Sequence, residues 1–201
     1  MTDLATGALA PLHNRDFRFL LAGFAIGQML MPLQFITQIL WVQSTAPSNV
    51  WLILVAFIAT SRGLGALTFG LYGGALADRF NRKYLLQLIL GLQVITTAAI
   101  AFLMYLDLSG LLGFGVFFIL TFFSSGLQSI DAPTRLALVP DILGQRLTPS
   151  GISLNQVSGQ IAMPIAIMIT GLMIEAFGFS GAYGTTVIGY LLAIVLIGMM
   201  H

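Results

Sequence analysis

The sequence predicts an all-α integral membrane protein with six transmembrane helices. Of its 201 residues, 58% are hydrophobic and only 7% are charged, whereas soluble domains average about 45–50% apolar and about 25% charged. Six apolar stretches are long enough to cross a bilayer core, which takes roughly 20 residues. Their lengths and the absence of strand-type alternation indicate helices. The stretches lie near 19–43, 50–74, 84–106, 110–130, 151–176 and 181–200.

Turn-forming and charged residues separate these stretches. The separators are 44–49, 75–83, 107–109, 131–150 and 178–181, and only 131–150 is long. Polar residues 1–18 precede the first apolar run, which is longer than a signal-peptide core and lacks a convincing cleavage site. We therefore expect a cytoplasmic N-terminal segment at 1–18, followed by one helical bundle at 19–200.

The cations predict the orientation in the membrane. Seven of the eight Lys and Arg residues lie in the N-terminal segment or in separators 75–83 and 131–150, and the opposite separators contain none. By the positive-inside rule, these regions and both termini are expected in the cytoplasm.

The composition also excludes several classes of function. There is no cysteine, and the two histidines, His13 and His201, lie near opposite ends of the chain. No disulfide framework, metal site or cofactor site is therefore expected. A net charge of +1 does not suit nucleic-acid binding. No nucleophile–base set is evident, so we do not expect an enzyme.

Arg62 is the one cation inside an apolar segment. Placing a charge at the bilayer centre costs about 2.5–3.5 kcal/mol, and such residues are often functional. Arg62 could bond the amides of Gln28, Gln34 or Gln38, or it could contact a substrate. No Asp or Glu lies in the middle of any segment. A neutral network, an anionic ligand or a second polypeptide must therefore satisfy it.

Residues 74–83 read Gly-Ala-Leu-Ala-Asp-Arg-Phe-Asn-Arg-Lys. This stretch resembles the motif G-x-L-A-D-R/K-x-G-R/K-R/K between helices two and three of the major facilitator superfamily. Asn81 stands where glycine is usual; because Asn also enters left-handed backbone geometry at low cost, we expect the same turn. A second stretch, Asp131–Arg135 through Leu138–Asp141, resembles exporters similar to the enterobactin exporter.

The first resemblance implies a conformational latch. Asp78 would rest against a helix of a second half of the transporter, and Arg82 would pair with Asp131 at the cytoplasmic end of helix four. The alternative is a tight turn and positive anchor with no gating role. We call the six residues that the motif and this pairing involve the latch residues: Gly74, Asp78, Arg79, Arg82, Lys83 and Asp131.

The resemblance also implies a partner. Transporters of this superfamily have two six-helix halves around a central cavity, and the chain corresponds to the N-terminal half. We expect export of a small amphipathic or anionic molecule by alternating access, in a bacterial inner membrane. The second half could belong to a longer chain, to a homodimer partner or to another polypeptide. The alternative is a non-transporting structural or assembly subunit of a larger membrane complex.

In the superfamily, helices one and four line the cavity, so the polar faces of these helices are candidates for substrate contact. Gln34, Gln38 and Trp41 recur at helical spacing on one face. Amides and aromatics around one cation suit an amphipathic or anionic ligand, although interhelical hydrogen bonding is the simpler explanation. The candidate cavity residues are Gln34, Gln38, Trp41, Arg62, Ser124, Gln128 and Asn155.

A stripe of small residues on the second helix could allow close approach of another helix. It comprises Gly63, Ala66, Gly70, Gly73 and Gly74. The partner helix could belong to a second copy or to this bundle.

Overall fold

The computed structural model describes residues 7–200, except for the side-chain surroundings of Gly74, Ala75, Ala77 and Asp78. A 3-10 turn, Ala10–His13, is followed by four α-helices. They are α1 (Arg15–Thr45), α2 (Trp51–Arg79), α3 (Arg82–Tyr105) and α4 (Leu111–Gly198). All four contain a stretch long and apolar enough to cross a membrane.

The first three predicted segments correspond to α1, α2 and α3. Helix α1 begins earlier than expected because Asn14 caps it: its side-chain oxygen accepts from the amides of Asp16 at 2.9 Å and Phe17 at 3.2 Å. Such caps satisfy amides that have no partner within the helix.

The last three predicted segments all fall within α4. A straight helix of 88 residues would extend about 130 Å at 1.5 Å per residue. Helical geometry is interrupted at Gly144 (φ 70°) and Gly178 (φ 68°), where glycine adopts positive φ without steric cost. The Gln128 amide donates to the Tyr190 hydroxyl at 3.3 Å, although these residues are 62 positions apart and would be far from each other in a straight helix. The run therefore folds back on itself, in stretches 111–143, 145–177 and 179–198.

The expectation of a loop at 131–150 was wrong. This region is helical except at Gly144. Leu138 and Val139 are buried in an apolar cluster, and the charges of Asp131 and Arg135 pair one helical turn apart. Packing and local charge neutralisation therefore maintain helix where charges and prolines suggested a loop.

The loop expected at 75–83 is also shorter than predicted. Helix α2 continues to Arg79, and only Phe80 and Asn81 separate it from α3. Asn81 has φ −60° and ψ 116°, so the expected left-handed conformation was wrong. Its side chain instead accepts from the amides of Lys83 and Tyr84 at 3.1 and 3.4 Å. Asn81 therefore acts as the N-cap of α3.

Two apolar clusters occupy opposite ends of α1. One contains Phe17 and Leu20 near the start of the helix. The other contains Trp41 and Val42 near its end. Residues between the clusters are thus far from both ends of the bundle.

Helices α2 and α4 approach closely at two glycines. A Cβ on Gly65 would lie 2.2 Å from the carbonyl oxygen of Phe122 and 3.2 Å from the amide nitrogen of Gly126. Two members of the small-residue stripe also face α4, since Gly70 lies near Ser129 and Gly73 near Ile130. That part of the stripe packs within this bundle.

Candidate functional site

A layer of polar side chains lies between the two apolar clusters. Gln34 of α1 is fully buried, and its amide nitrogen donates to the hydroxyls of Thr97 at 3.2 Å and Thr186 at 3.4 Å. Its amide oxygen accepts from Gln128 at 2.9 Å. One side chain of α1 thereby connects α3 with the first and last stretches of α4.

Gln38, one turn further along α1, is fully buried too. Its amide nitrogen donates to the hydroxyls of Tyr183 at 2.9 Å and Thr121 at 3.4 Å. Because the Gln38 amide nitrogen donates to these hydroxyls, the amide oxygen points away from them and is available as an acceptor for another group.

Arg62 of α2 is the cation at the centre of this layer. Its two terminal nitrogens donate to the amide oxygens of Gln38 at 3.4 Å and Gln128 at 3.3 Å. The guanidinium carbon lies 5.3 Å from the centre of the Phe35 ring, within cation–π range. The Ser125 hydroxyl donates to the carbonyl oxygen of Arg62 at 2.7 Å and so attaches α2 to α4 at the same level.

Only neutral groups contact the Arg62 guanidinium in the part of the chain that the structure describes. Gln38 is among the amides expected from the sequence, whereas Gln128 was not linked to Arg62. Such a network distributes the charge but does not neutralise it. It can therefore hold the cation in place and still attract an anion.

The latch residues are arranged differently from the expectation, and the expected Arg82–Asp131 pair was wrong. Arg82 Nη1 lies 2.9 and 2.7 Å from the two carboxylate oxygens of Asp141 and also donates to the carbonyl oxygen of Ala137 at 3.0 Å. Asp131 instead accepts from Arg135 Nε at 2.7 Å. Because 131–143 is helical, Asp131 lies one turn before Arg135, while Asp141 lies nearer the start of α3.

The two other latch residues whose surroundings the structure describes, Arg79 and Lys83, differ in their contacts. Arg79 is exposed, and the Lys83 ammonium donates to the carbonyl oxygen of Met200. The surroundings of Gly74 and of the Asp78 side chain lie outside the described part of the structure.

A cavity of about 160 Å³ adjoins the polar layer between α1, α3 and α4. Gln128 of the candidate residues lines it, together with the Asp131–Arg135 pair. Arg135 was not among the candidates, although its position four residues after Asp131 is a signal for an ion pair on a helix. Polar groups therefore line the cavity on the α4 side, and one amide each from α1 and α3, Gln28 and Gln93, lines it as well.

Three candidate residues pack between helices and do not line that cavity. Trp41 contacts the rings of Phe114 and Phe117, with ring centres 5.7 and 5.1 Å apart. The Ser124 hydroxyl donates to the Gln93 side-chain oxygen at 3.0 Å. Asn155 is buried, and its amide has no hydrogen-bond partner within the described chain.

Sequence reasoning missed the hydroxyls that orient the amides. Tyr183 bonds Gln38, and Tyr190 bonds Gln128. Their spacing of seven residues, which places both on one helix face, was the available signal. No sequence signal marked Thr97 and Thr186, because threonine is common in membrane helices without such a role.

Long apolar helices around a buried polar layer define a multi-pass membrane protein. A family model described as transmembrane secretion effector matches residues 6–201. The chain therefore belongs to this transporter family of the major facilitator superfamily, as the 74–83 motif indicated. No curated protein and no solved structure gives a significant match.

Proposed function

We propose that the chain exports a small amphipathic or anionic molecule across a bacterial inner membrane. It would do so by alternating access together with a second six-helix half, on the branch similar to the enterobactin exporter. Family membership supports transport as the general activity. The half-buried guanidinium of Arg62, held only by neutral groups in the described chain, supports an anionic substrate.

The proposed topology has six spans with both termini in the cytoplasm. The breaks at Gly144 and Gly178 divide α4 into three stretches. Each is long enough for one crossing at roughly 20 residues per crossing. Together with α1, α2 and α3 they make six spans. The cation distribution of the sequence supports the orientation.

Exposed apolar surface leaves room for a second half as partner. Helix α2 exposes Leu67 and Leu71 by 67% and 81%, and stretch 145–177 exposes Met168 by 67%. Within 145–177, burial is confined to a narrow face that contains small residues such as Ala162 and Ala166. These surfaces would face lipid tails or the second half of the transporter.

Transport by membrane vesicles of known orientation tests the proposal. The probe is dansylglycine, a small amphipathic monoanion, and the native chain is compared with Arg62→Ala and Arg62→Lys. We expect Arg62→Ala to lower the transport rate roughly tenfold or more, because hydrogen bonds to charged groups contribute about 1.5–3 kcal/mol. Arg62→Lys should retain part of the rate, since it keeps the charge.

The control variant is Arg146→Gln, which removes an exposed cation. It should transport like the native chain. Equal transport by correctly folded Arg62→Ala would refute the role of Arg62. If the vesicles show no transport, and purified particles contain this chain with unrelated subunits only, the structural-subunit alternative is correct.

A further inference from the structure

Arg135 is a buried cation whose terminal nitrogens have no partner among the described residues. The side chain is 1% exposed, and only Nε takes part in the pair with Asp131. Nη1 and Nη2 have no hydrogen-bond partner within the described chain. Leaving buried donors unsatisfied costs about 1–3 kcal/mol each, and more for charged groups. An acceptor is therefore expected at these two nitrogens.

The space next to Arg135 can contain such an acceptor. Arg135 lines the cavity of about 160 Å³, although its two terminal nitrogens are themselves closed off from that space. An acceptor in the cavity therefore reaches them only when the guanidinium turns toward the cavity. The α1 wall contains Gly27, where an added Cβ would meet nothing within 4 Å. One turn earlier, an added Cβ on Gly23 would lie 3.1 Å from Arg135 Nη1. Small residues on α1 thus accommodate both the guanidinium and the empty space.

The charges at this site favour a single negative charge. Asp131 neutralises the charge of Arg135. The remaining positive charge is that of Arg62, which donates to Gln128, and Gln128 lines the cavity. A monoanion would balance that remaining charge. A second negative charge would be repelled by Asp131, whose second carboxylate oxygen is buried without a partner in the described part of the chain. The site therefore favours a monoanion over a phosphate dianion.

The shape of the donors and the apolar lining identify the chemical class. Nη1 and Nη2 form a planar fork that matches the two oxygens of a carboxylate. Phe24, Met31 and Leu90 line the same cavity and suit a short hydrocarbon tail. We infer that the Asp131–Arg135 cavity binds a small monocarboxylate, with the carboxylate on the Arg135 fork and the tail against α1 and α3.

This inference rests on the proposed function, because it names the class of molecule that would be transported. The binding itself can be measured at equilibrium, without transport. The full chain, purified in detergent, is heated with increasing sodium butyrate while its tryptophan fluorescence reports unfolding. Butyramide, which has the same shape without the charge, and sodium chloride at equal ionic strength are the ligand controls. We expect a saturable rise in Tm with butyrate only.

Variants locate the binding site. Arg135→Gln should raise the apparent Kd for butyrate by roughly ten- to hundredfold. Arg135→Lys should also weaken binding, because it keeps the charge but lacks the fork. Arg146→Gln, which removes an exposed cation that does not line the cavity, should leave the apparent Kd unchanged.

A second variant covers the case in which Arg135→Gln does not fold. Gly27→Leu fills the cavity from α1 without altering the ion pair and should abolish the Tm shift. Its control is Gly63→Leu, at an exposed glycine where an added Cβ also meets nothing within 4 Å.

Three results would overturn the inference: an equal shift with butyramide or sodium chloride, native affinity in Arg135→Gln or Arg135→Lys, or native affinity in Gly27→Leu. Dansylglycine transport without a butyrate shift would reject the carboxylate site and leave the proposed function intact. Binding without transport would support the site and reject the proposed function.

Discussion

Gly65→Ala tests the close approach that places Arg62 in the polar layer. The added Cβ would lie 2.2 Å from the Phe122 carbonyl oxygen, and Cβ contacts shorter than 3.0 Å are essentially not found. The two helices must therefore separate by about 0.8 Å, because backbone atoms cannot move aside as a flexible side chain can. Overpacking of this kind typically costs about 1–3 kcal/mol.

Gly63→Ala is the matched control, two residues away on α2. An added Cβ there meets nothing within 4 Å. Both variants gain the same helix propensity of alanine over glycine, about 1 kcal/mol. The difference between their free energies of unfolding therefore isolates the overpacking, and we expect about 3 kcal/mol because the obstructing atom belongs to the backbone.

The assay is equilibrium unfolding in mixed micelles with increasing sodium dodecyl sulfate, followed by tryptophan fluorescence. Dansylglycine transport should fall in parallel in Gly65→Ala. Arg62 lies one turn before Gly65, and its hydrogen bonds, at 3.3–3.4 Å, do not tolerate further lengthening. Equal stability of the two variants would show that α2 and α4 do not meet at Gly65, and the position of Arg62 would then be wrong.

Three further predictions use the same unfolding titration. Asn81→Ala should destabilise the chain by about 1 kcal/mol, because it removes the N-cap of α3; unchanged stability would contradict that role. A double-mutant cycle of Arg82→Gln and Asp141→Asn should give a small favourable coupling of about 0.2–1 kcal/mol, since the side chains are 30% and 52% exposed. A coupling of zero would remove the pair as a stabilising contact. Gly144→Ala should cost about 1–3 kcal/mol, because φ 70° with ψ 168° is a backbone conformation that essentially only glycine adopts. Gly171→Ala, at helical φ in open space, should not destabilise the chain.

The membrane class and most helix ends near the start of the chain could be predicted from local signals. Turn formers at 44–49 and 107–109 separate helices that end at Thr45 and Tyr105. The prediction was wrong at 131–150, which was assigned to a loop because of its charges and prolines despite its apolar residues. In the structure those apolar residues are buried, and burial is a property of the whole bundle.

The candidate site was predictable in part. Arg62 was identifiable because a charge in an apolar segment is rare, and Gln38 was identifiable because it lies on the polar face of the first helix. The pair at Arg135 was missed because the segment was assigned to a loop, where four-residue spacing has no geometric meaning. Asn81 was read through its backbone preference, whereas its side chain decided its role as the cap of α3.

The sequence by itself determined that the protein crosses a membrane as apolar helices and that Arg62 needs polar interaction partners within the membrane. Hydropathy is a local property, so it can be read along the chain. Only the tertiary structure decided which groups meet. Arg62 reaches Gln38 across 24 residues and Gln128 across 66, and Asp131 pairs with Arg135 while Arg82 pairs with Asp141. The physical reason is that a buried polar group takes the partner that helix packing brings within hydrogen-bond distance, whatever its separation in sequence.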